Sequence, residues 1–410
     1  MTLRGFFQPL PRGNATALRL LLITVALVAV GTFMVASASE GQAALNGSAF
    51  SIMKNDVLWL VLGFFAMLFM MHFRLQNLLR WAFPLLVVSL ASLVYVAFAG
   101  TSVSGGKRWL SIGGFNLQPS EFFKLVTLVY VATVVARYYR RLGSGQHLMM
   151  WMSPIALGVG FILLEHDLGT ASIVGAIAFV MLFQAGMSWF QVAITTGTAI
   201  TGGLLYSVAS TYAWARVAAV LHQGSDLSTS GYQLLQSKIG LGAGGLAGLG
   251  YGHSREKWGL LPNPHTDFIF SIIGEELGFI GTIAVIALFV AFLFTGIKIA
   301  RNCTNDVYRL LAVGITAWIT LEAIINIASV VGLWAVTGVP LPFVSYGGSA
   351  LLTELAAVGL LYNIAHDKSR APRLELRADE PPLISVGGRR PTPARHHSPA
   401  VRHRVPQRRP

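Results

Sequence analysis

The sequence predicts an all-α, polytopic integral membrane protein with about ten transmembrane helices and one long extracytoplasmic loop. Three observations carry that prediction. Hydrophobic residues fill 54% of the 410 positions and charged residues only 11%, against roughly 25% charged in a soluble domain. Apolar runs near the ~20 residues that a bilayer requires recur along the chain, and mean hydropathy is +0.62. Basic residues gather in alternate connections between those runs, as the positive-inside rule demands.

In the first run, 17–37, an apolar stretch from Leu20 follows Arg4, Arg12 and Arg19, and Ala36, Ser37 and Ala38 imitate a signal-peptide cleavage site. Its length and the many later spans favour an uncleaved first helix. The next runs are 57–73, 81–100 and 121–138. The fifth and sixth, 150–164 and 170–186, are short and separated only by Glu165 to Gly169. Runs at 188–208, 268–298, 308–333 and 345–364 complete ten helices, and an even count returns both termini to one side.

Arg74 and Arg80, then Arg137, Arg140 and Arg141, then Lys298, Arg301 and Arg309 mark the cytoplasmic connections, together with residues 1–16 and a basic tail, 365–410. The membrane domain is 17–364. Outside lie 38–56, 101–120, 165–169, 209–267 and 334–344, which hold most of the unusual polar residues. The tail is rich in Pro, Arg and His and poor in large apolar residues, so it reads as disordered. Its charge suits anionic lipid headgroups or a cytosolic partner, or simply sets topology.

The net charge of +13 does not point to nucleic acid, because no basic face with interleaved aromatics occurs. Cys303, the single cysteine, excludes intramolecular disulfides, zinc clusters and a CxxC pair. Gly240, Gly242 and Gly245 satisfy GxGxxG, but no strand precedes them, so the dinucleotide reading fails. Asn14 and Asn46 head glycosylation triplets that carry no weight here.

The 209–267 loop exceeds the length of ordinary connections and reads as functional; it holds Arg216, Gly231, Tyr232, Gln233, Lys238, Trp258 and Asp267. In KWGLLPNPHTDFIFSIIGEELG, Lys257 to Gly278, a polar loop runs through Asp267 into a long apolar helix. Asp267 with Thr266 suits a helix cap and equally a catalytic carboxylate, with His265, Lys257, Arg255, Glu275 and Glu276 close in sequence. Glu275 and Glu276 sit within a membrane helix, where a carboxylate must face protein or water; a buried ion pair and a direct role are both open.

Glu121 and Lys124 in QPSEFFK share a helix face at i, i+3 and suit an ion pair or a polar headgroup site. Lys107, Arg108 and Trp109 suit an interfacial anchor or a pyrophosphate clamp. Asp167 in EHDLGT reads first as a helix cap. The glycines of PLPFVSYGGSA, around Ser345 to Ser349, permit a backbone break of the kind that lines a polar cavity.

GGKRWLSIGGFNLQPSEFFKL, DLGTA, GYQLLQS, LPNPHTDFIFSIIGEELG and GVPLPFVSYGGSA, in that order over about residues 101 to 355, closely resemble the SEDS proteins of bacterial shape, elongation, division and sporulation, represented by FtsW and RodA. The resemblance implies a peptidoglycan glycosyltransferase that polymerises lipid II at the outer face of the bacterial cytoplasmic membrane. It makes Asp267 the catalytic carboxylate, for which the expected role is that of general base on the acceptor's 4-hydroxyl. The candidate substrate-binding set is Lys107, Arg108, Trp109, Glu121, Lys124, Asp167, Gln233, Lys238, Glu276 and Ser345. A divalent cation, Mg²⁺ or Mn²⁺, at the pyrophosphate is the one cofactor implied, with no protein ligand assigned.

Implied partners are lipid II, the undecaprenyl-pyrophosphate-linked glycan, a class B penicillin-binding protein transpeptidase and other divisome or elongasome membrane proteins. Where the family commonly carries Pro before DLGT, this chain has His166. IIGEELG and the long tail lean toward the FtsW-like division branch. A RodA-like elongation polymerase, a lipid II flippase using the same cavity without a base, and a silent scaffold are the alternatives.

Overall fold

The computed structural model describes residues 14–46, 49–103, 106–112, 115–142, 145–221 and 229–366. The rest of the expected N-terminal segment and nearly all of the expected tail lie outside the described residues. Eight described helices are long and apolar enough to cross a membrane. They are α1 (Ala15–Asn46), α2 (Ala49–His72), α4 (Ala82–Ala99), α5 (Pro119–Leu142), α6 (Gly145–Leu164), α11 (Ile269–Asn302), α12 (Asp306–Val331) and α13 (Gly348–His366). The other two expected spans correspond to α7 (Leu168–Gln184) and α8 (Trp189–Ala209). A short helix, α3 (Leu75–Arg80), sits between α2 and α4.

Packing separates a centre from a lipid-facing rim. Of the spanning windows, 89% of α5, 78% of α13 and 61% of α12 are buried, against 22% to 28% of α2, α4, α6 and α11. Glu121 and Lys124 of α5, Glu322 of α12 and Glu354 of α13 accordingly meet protein rather than lipid.

Local chemistry sets the helix ends. Asp167 caps α7 by accepting from Thr170 N at 3.0 Å and Thr170 Oγ1 at 2.9 Å, as its sequence position suggests. Ser188 and Gln191 form a capping box at α8. Asn305 caps α12, and Gly332 at φ 82° ends it.

Sequence periodicity misses two features. Residues 101–117, read as plain outer loop, form a three-stranded antiparallel sheet of β1 (Thr101–Val103), β2 (Gly106–Ile112) and β3 (Phe115–Leu117). The long 209–267 loop contains α9 (Thr211–Leu221), α10 (Thr229–Ala243) and a 3₁₀ turn at Glu256–Trp258.

The chain after α10 also repairs a break in α11. Gly278, at φ 68° and ψ −165°, interrupts the helical ladder. The freed donors of Phe279 and Ile280 reach the carbonyls of Gly245 (2.9 Å) and Leu246 (3.2 Å), while Glu275 and Glu276 carbonyls accept from Leu249 (2.9 Å) and Gly250 (3.0 Å). A backbone break within the membrane persists only where protein supplies such partners. Gly248 and Gly278 face each other's backbone so closely that a Cβ on either would collide with it.

At one end of the domain, Asn14 Nδ2 donates to Ala365 O at 2.5 Å, and Asn363 Nδ2 donates to Met70 O (3.0 Å) and Phe73 O (2.6 Å). The two ends of the membrane domain thus lie together. At the other end, the sheet, the α6–α7 turn, the α12–α13 loop and the chain before α11 converge.

Candidate functional site

Asp267 lies within that convergence. The α11 N-cap is Phe268, without a side-chain cap bond, so Asp267 does not serve as the helix cap. Its backbone is pinned instead. Asn326 Nδ2, on α12, donates to the Asp267 carbonyl at 2.9 Å and to the Val339 carbonyl at 2.8 Å. Ser345 Oγ donates to Thr266 O at 2.6 Å, and Tyr346 N donates to His265 O at 2.9 Å. The PLPFVSYGG and HTDF segments are therefore one hydrogen-bonded unit.

The Asp267 side chain remains partly exposed. It faces Gly338, whose φ of 74° suits glycine. A Cβ on Gly338 would sit 3.5 Å from Asp267 Oδ2 and 3.8 and 4.0 Å from the two terminal nitrogens of Arg216. The carboxylate and the half-buried guanidinium of α9 thus border one small space. Burial lifts the Asp267 carboxyl above its ordinary range; Arg216 and Arg108 pull it back and Asp167 adds to the rise, leaving it raised overall.

Arg108, on β2, braces the α6–α7 turn. Its Nε donates to Glu165 O at 3.1 Å, a terminal nitrogen donates to His166 O at 2.6 Å, and the other lies 3.9 Å from Asp167 Oδ2. Gln118 Nε2 also donates to Asp167 Oδ2 at 3.3 Å. Asp167 is thereby committed to a cap, an amide and a guanidinium. Glu165 is 1% exposed with both carboxyl oxygens buried and without a hydrogen-bond partner; burial, then Asp167, push its carboxyl up to about 8. His166 is exposed. His265 is buried, which pushes its imidazole down to about 4, so it is neutral at physiological pH.

Other sequence candidates lie elsewhere. Glu121 and Lys124 do pair, at 2.7 Å, but both are enclosed, at 2% and 0% exposure. Lys124 also bonds Glu322 of α12 and lies 5.2 Å from the Trp318 ring. The pair is interior to the bundle, which removes it from direct contact with a headgroup. Glu276, the fully buried Lys257 and Ser37 of α1 form a second enclosed group. Glu276 Oε1 accepts from Ser37 Oγ (2.6 Å) and Ser254 N (3.2 Å). Lys257 Nζ donates to Glu40 Oε2 (2.7 Å), Gly252 O (2.8 Å) and Ser37 Oγ (3.1 Å), and lies 3.6 Å from Glu276 Oε1. Glu275 accepts from Ser254 Oγ and from Arg255 N. These groups staple the segment after α10 to α1 and α11; Glu276 is interior to that staple, and Lys257 does not join the group around Asp267.

Gln233 and the Lys238 side chain are half-buried on α10, the latter against Gly332. On β2, Lys107 is exposed and Trp109 half-buried. Ser345 is buried and used by the backbone clamp. Sequence reasoning missed the roles of Arg216, Asn326, Gly338, Glu322 and Glu354; the polar residues among these inside apolar helices carried the only available signal.

A divalent cation finds no all-protein cage: among the described residues, no three His, Cys, Asp or Glu side chains gather as a metal set. A Mg²⁺ ion needs only one or two carboxylates when substrate phosphates complete its shell.

The chain is similar to known proteins over most of its length. The FtsW/RodA/SpoVE family, described as cell cycle proteins, matches residues 18–370. A Trichlorobacter lovleyi protein named "Probable peptidoglycan glycosyltransferase FtsW" is 39% identical over 361 residues, 86% of this chain and 94% of its own. Stage V sporulation protein E of Bacillus subtilis is 36% identical over 356 residues, 85% of this chain and 96% of its own. Among solved structures, a chain from work on polymerization and crosslinking by a peptidoglycan synthase complex superposes with TM-score 0.71 at 27% identity, covering 86% of this chain and 98% of its own. Thermus thermophilus rod shape determining protein RodA gives 0.64 at 25% identity, covering 85% and 96%.

Proposed function

We infer that this chain, which belongs to the FtsW/RodA/SpoVE family of cell cycle proteins, is a peptidoglycan glycosyltransferase that polymerises lipid II for septal wall synthesis. The observation that carries the mechanistic part is the partly exposed Asp267 carboxylate facing Arg216 across Gly338, on a backbone clamped by Asn326, Ser345 and Tyr346.

Asp267 acts as general base. It takes the proton of the acceptor's N-acetylglucosamine 4-hydroxyl as that oxygen attacks the anomeric carbon of the growing strand. The new glycosidic bond forms with inversion, and the bond to undecaprenyl pyrophosphate breaks with its electron pair on the phosphate. Such assistance is typically worth about 10² to 10⁴ in rate. Burial raises the Asp267 carboxyl, which makes it a stronger base than a solvated one, while Arg216 and Arg108 oppose that rise. Arg216, which borders the same space as Asp267 at Gly338, is the cation placed to meet the departing pyrophosphate. A Mg²⁺ or Mn²⁺ ion arriving with the pyrophosphate would meet Asp267 as its reachable carboxylate, Asp167 being committed to Thr170, Gln118 and Arg108.

The short connections at the opposite end carry Arg74 and Arg80, then Arg137, Arg140 and Arg141, then Lys298, Arg301 and Arg309, which supports an outward-facing site and cytoplasmic termini. The partner class is a membrane-anchored class B penicillin-binding protein transpeptidase, within the divisome. Purified protein supplied with lipid II is expected to yield glycan strands on a gel. Translocation of lipid II in vesicles without strand formation would favour the flippase reading instead. Septal localisation of a fluorescent fusion is expected; side-wall localisation would move the protein to elongation.

A further inference from the structure

Glu354 lies inside α13, only 1% exposed, and its Oε2 accepts from the Phe343 backbone N–H at 2.8 Å. Phe343 has φ 64° and is one of three non-glycine residues with positive φ among those described. A non-glycine side chain in that region is strained and persists only where its surroundings hold it. Phe343 is held by its 3% exposure, by packing 6.0 Å from the Phe292 ring, and by the bond to Glu354.

The turn at Phe343 directs the path of the next three residues. Val344 N returns to Leu341 O at 3.1 Å, and Leu341 N donates to Ser345 Oγ at 2.8 Å. That places Ser345 Oγ on Thr266 O and Tyr346 N on His265 O, the two carbonyls just before Asp267. Glu354 Oε1 is buried without a hydrogen-bond partner, with Glu322, Lys124 and Glu121 within electrostatic reach. A buried carboxyl with one oxygen unmatched is costly, and the single bond to Phe343 is its evident return.

We propose that Glu354 is a positioning residue for Asp267, holding Phe343 in the left-handed turn that delivers Ser345 and Tyr346 to the HTDF backbone. The proposal rests on reading Asp267 as the general base. Glu354 touches no substrate and acts through the α12–α13 loop.

The test compares Glu354→Gln, which keeps an oxygen acceptor, with Glu354→Leu, which removes it, in the full-length protein. Glu354→Gln is expected to retain wild-type turnover on lipid II. Glu354→Leu is expected to lose about 10²-fold in kcat with KM little changed, the scale of a ~1 Å misplacement. Its acid limb in the pH–rate profile should move down toward the ordinary carboxylate range as Asp267 hydrates. Hydrogen exchange at the Phe343 amide should accelerate in the Leu variant and not in the Gln variant. Where Glu354→Leu fails to fold, Glu354→Asp, too short to reach Phe343, takes its place. A purely structural role would lower the yield of folded protein and leave kcat per folded enzyme and the acid limb unmoved; that result overturns the proposal. Asp267→Asn run in parallel separates the two readings: full strand synthesis there removes the base assignment itself, whereas a dead Asp267→Asn beside a fully active Glu354→Leu removes only the positioning role.

Discussion

Asn326 and Asp267 are joined through the backbone: the Asn326 amide nitrogen donates to the Asp267 main-chain carbonyl at 2.9 Å while holding Val339 O at 2.8 Å. One side chain from the buried helix α12 thereby fixes both the residue that carries the carboxylate and the loop that faces it. Asn326→Leu is expected to lower kcat by about 10- to 100-fold with a smaller effect on KM, since misplacement rather than lost binding is its consequence. Steady-state polymerisation kinetics check this.

Arg216→Gln removes the guanidinium that shares the Gly338 space with Asp267. The expected loss in kcat/KM is about 10² to 10³, the scale of removing one donor aimed at developing charge. Arg216 also lowers the Asp267 carboxyl, so the acid limb of the pH–rate profile should move to higher pH in the variant. The base must be ionised to act, and activity falls as pH drops through its pKa. A limb that moves down would contradict the assignment.

Much of this arrangement was legible in the sequence. Eight of the ten apolar runs became helices long and apolar enough to span, and the other two became α7 and α8, because lipid demands a length and composition that a single chain displays openly. Asp267 stood out because ionisable groups near a bilayer are few. The small sheet at 101–117 was not legible, since its strands are of three to seven residues and carry little periodicity. Nor was the repair of α11, because Gly278 gains its partners from Gly245 to Gly250, far from it in sequence and brought near only by tertiary packing. Glu121 and Lys124 were readable as a pair, but their enclosure depends on Glu322, which is 198 residues away from Lys124. Arg216 looked like any basic residue in a long loop until α9 placed it at Gly338.

Glu165 gives a pH dependence of stability. Its carboxyl is raised from 4.5 to about 8 by burial, so the folded protein holds a proton there that the unfolded chain has released. Its contribution is fully present below the unfolded value and is lost as pH rises from about 4.5 through 8. Glu165→Gln should therefore be more stable than the wild type at pH 8 to 9, by on the order of 1 to 3 kcal/mol, with the advantage shrinking toward pH 5. Thermal unfolding in detergent across that range measures it.

Lys257 and Glu276 are both 0% exposed, so removing one leaves the other charged and buried. Lys257→Met is expected to destabilise the protein by about 3 to 5 kcal/mol. Adding Glu276→Gln should recover part of that loss, as a thermal melt of the double variant would show. Independent, additive losses would contradict the pairing.

The most direct test is lipid II polymerisation by purified Asp267→Asn protein that matches the wild type in folding and in lipid II binding. Asn keeps the size and the backbone clamp while removing the base. Strand synthesis is predicted to fall by at least about 10²-fold, the lower bound of general-base assistance, with lipid II still bound. Undiminished strand synthesis would contradict the account.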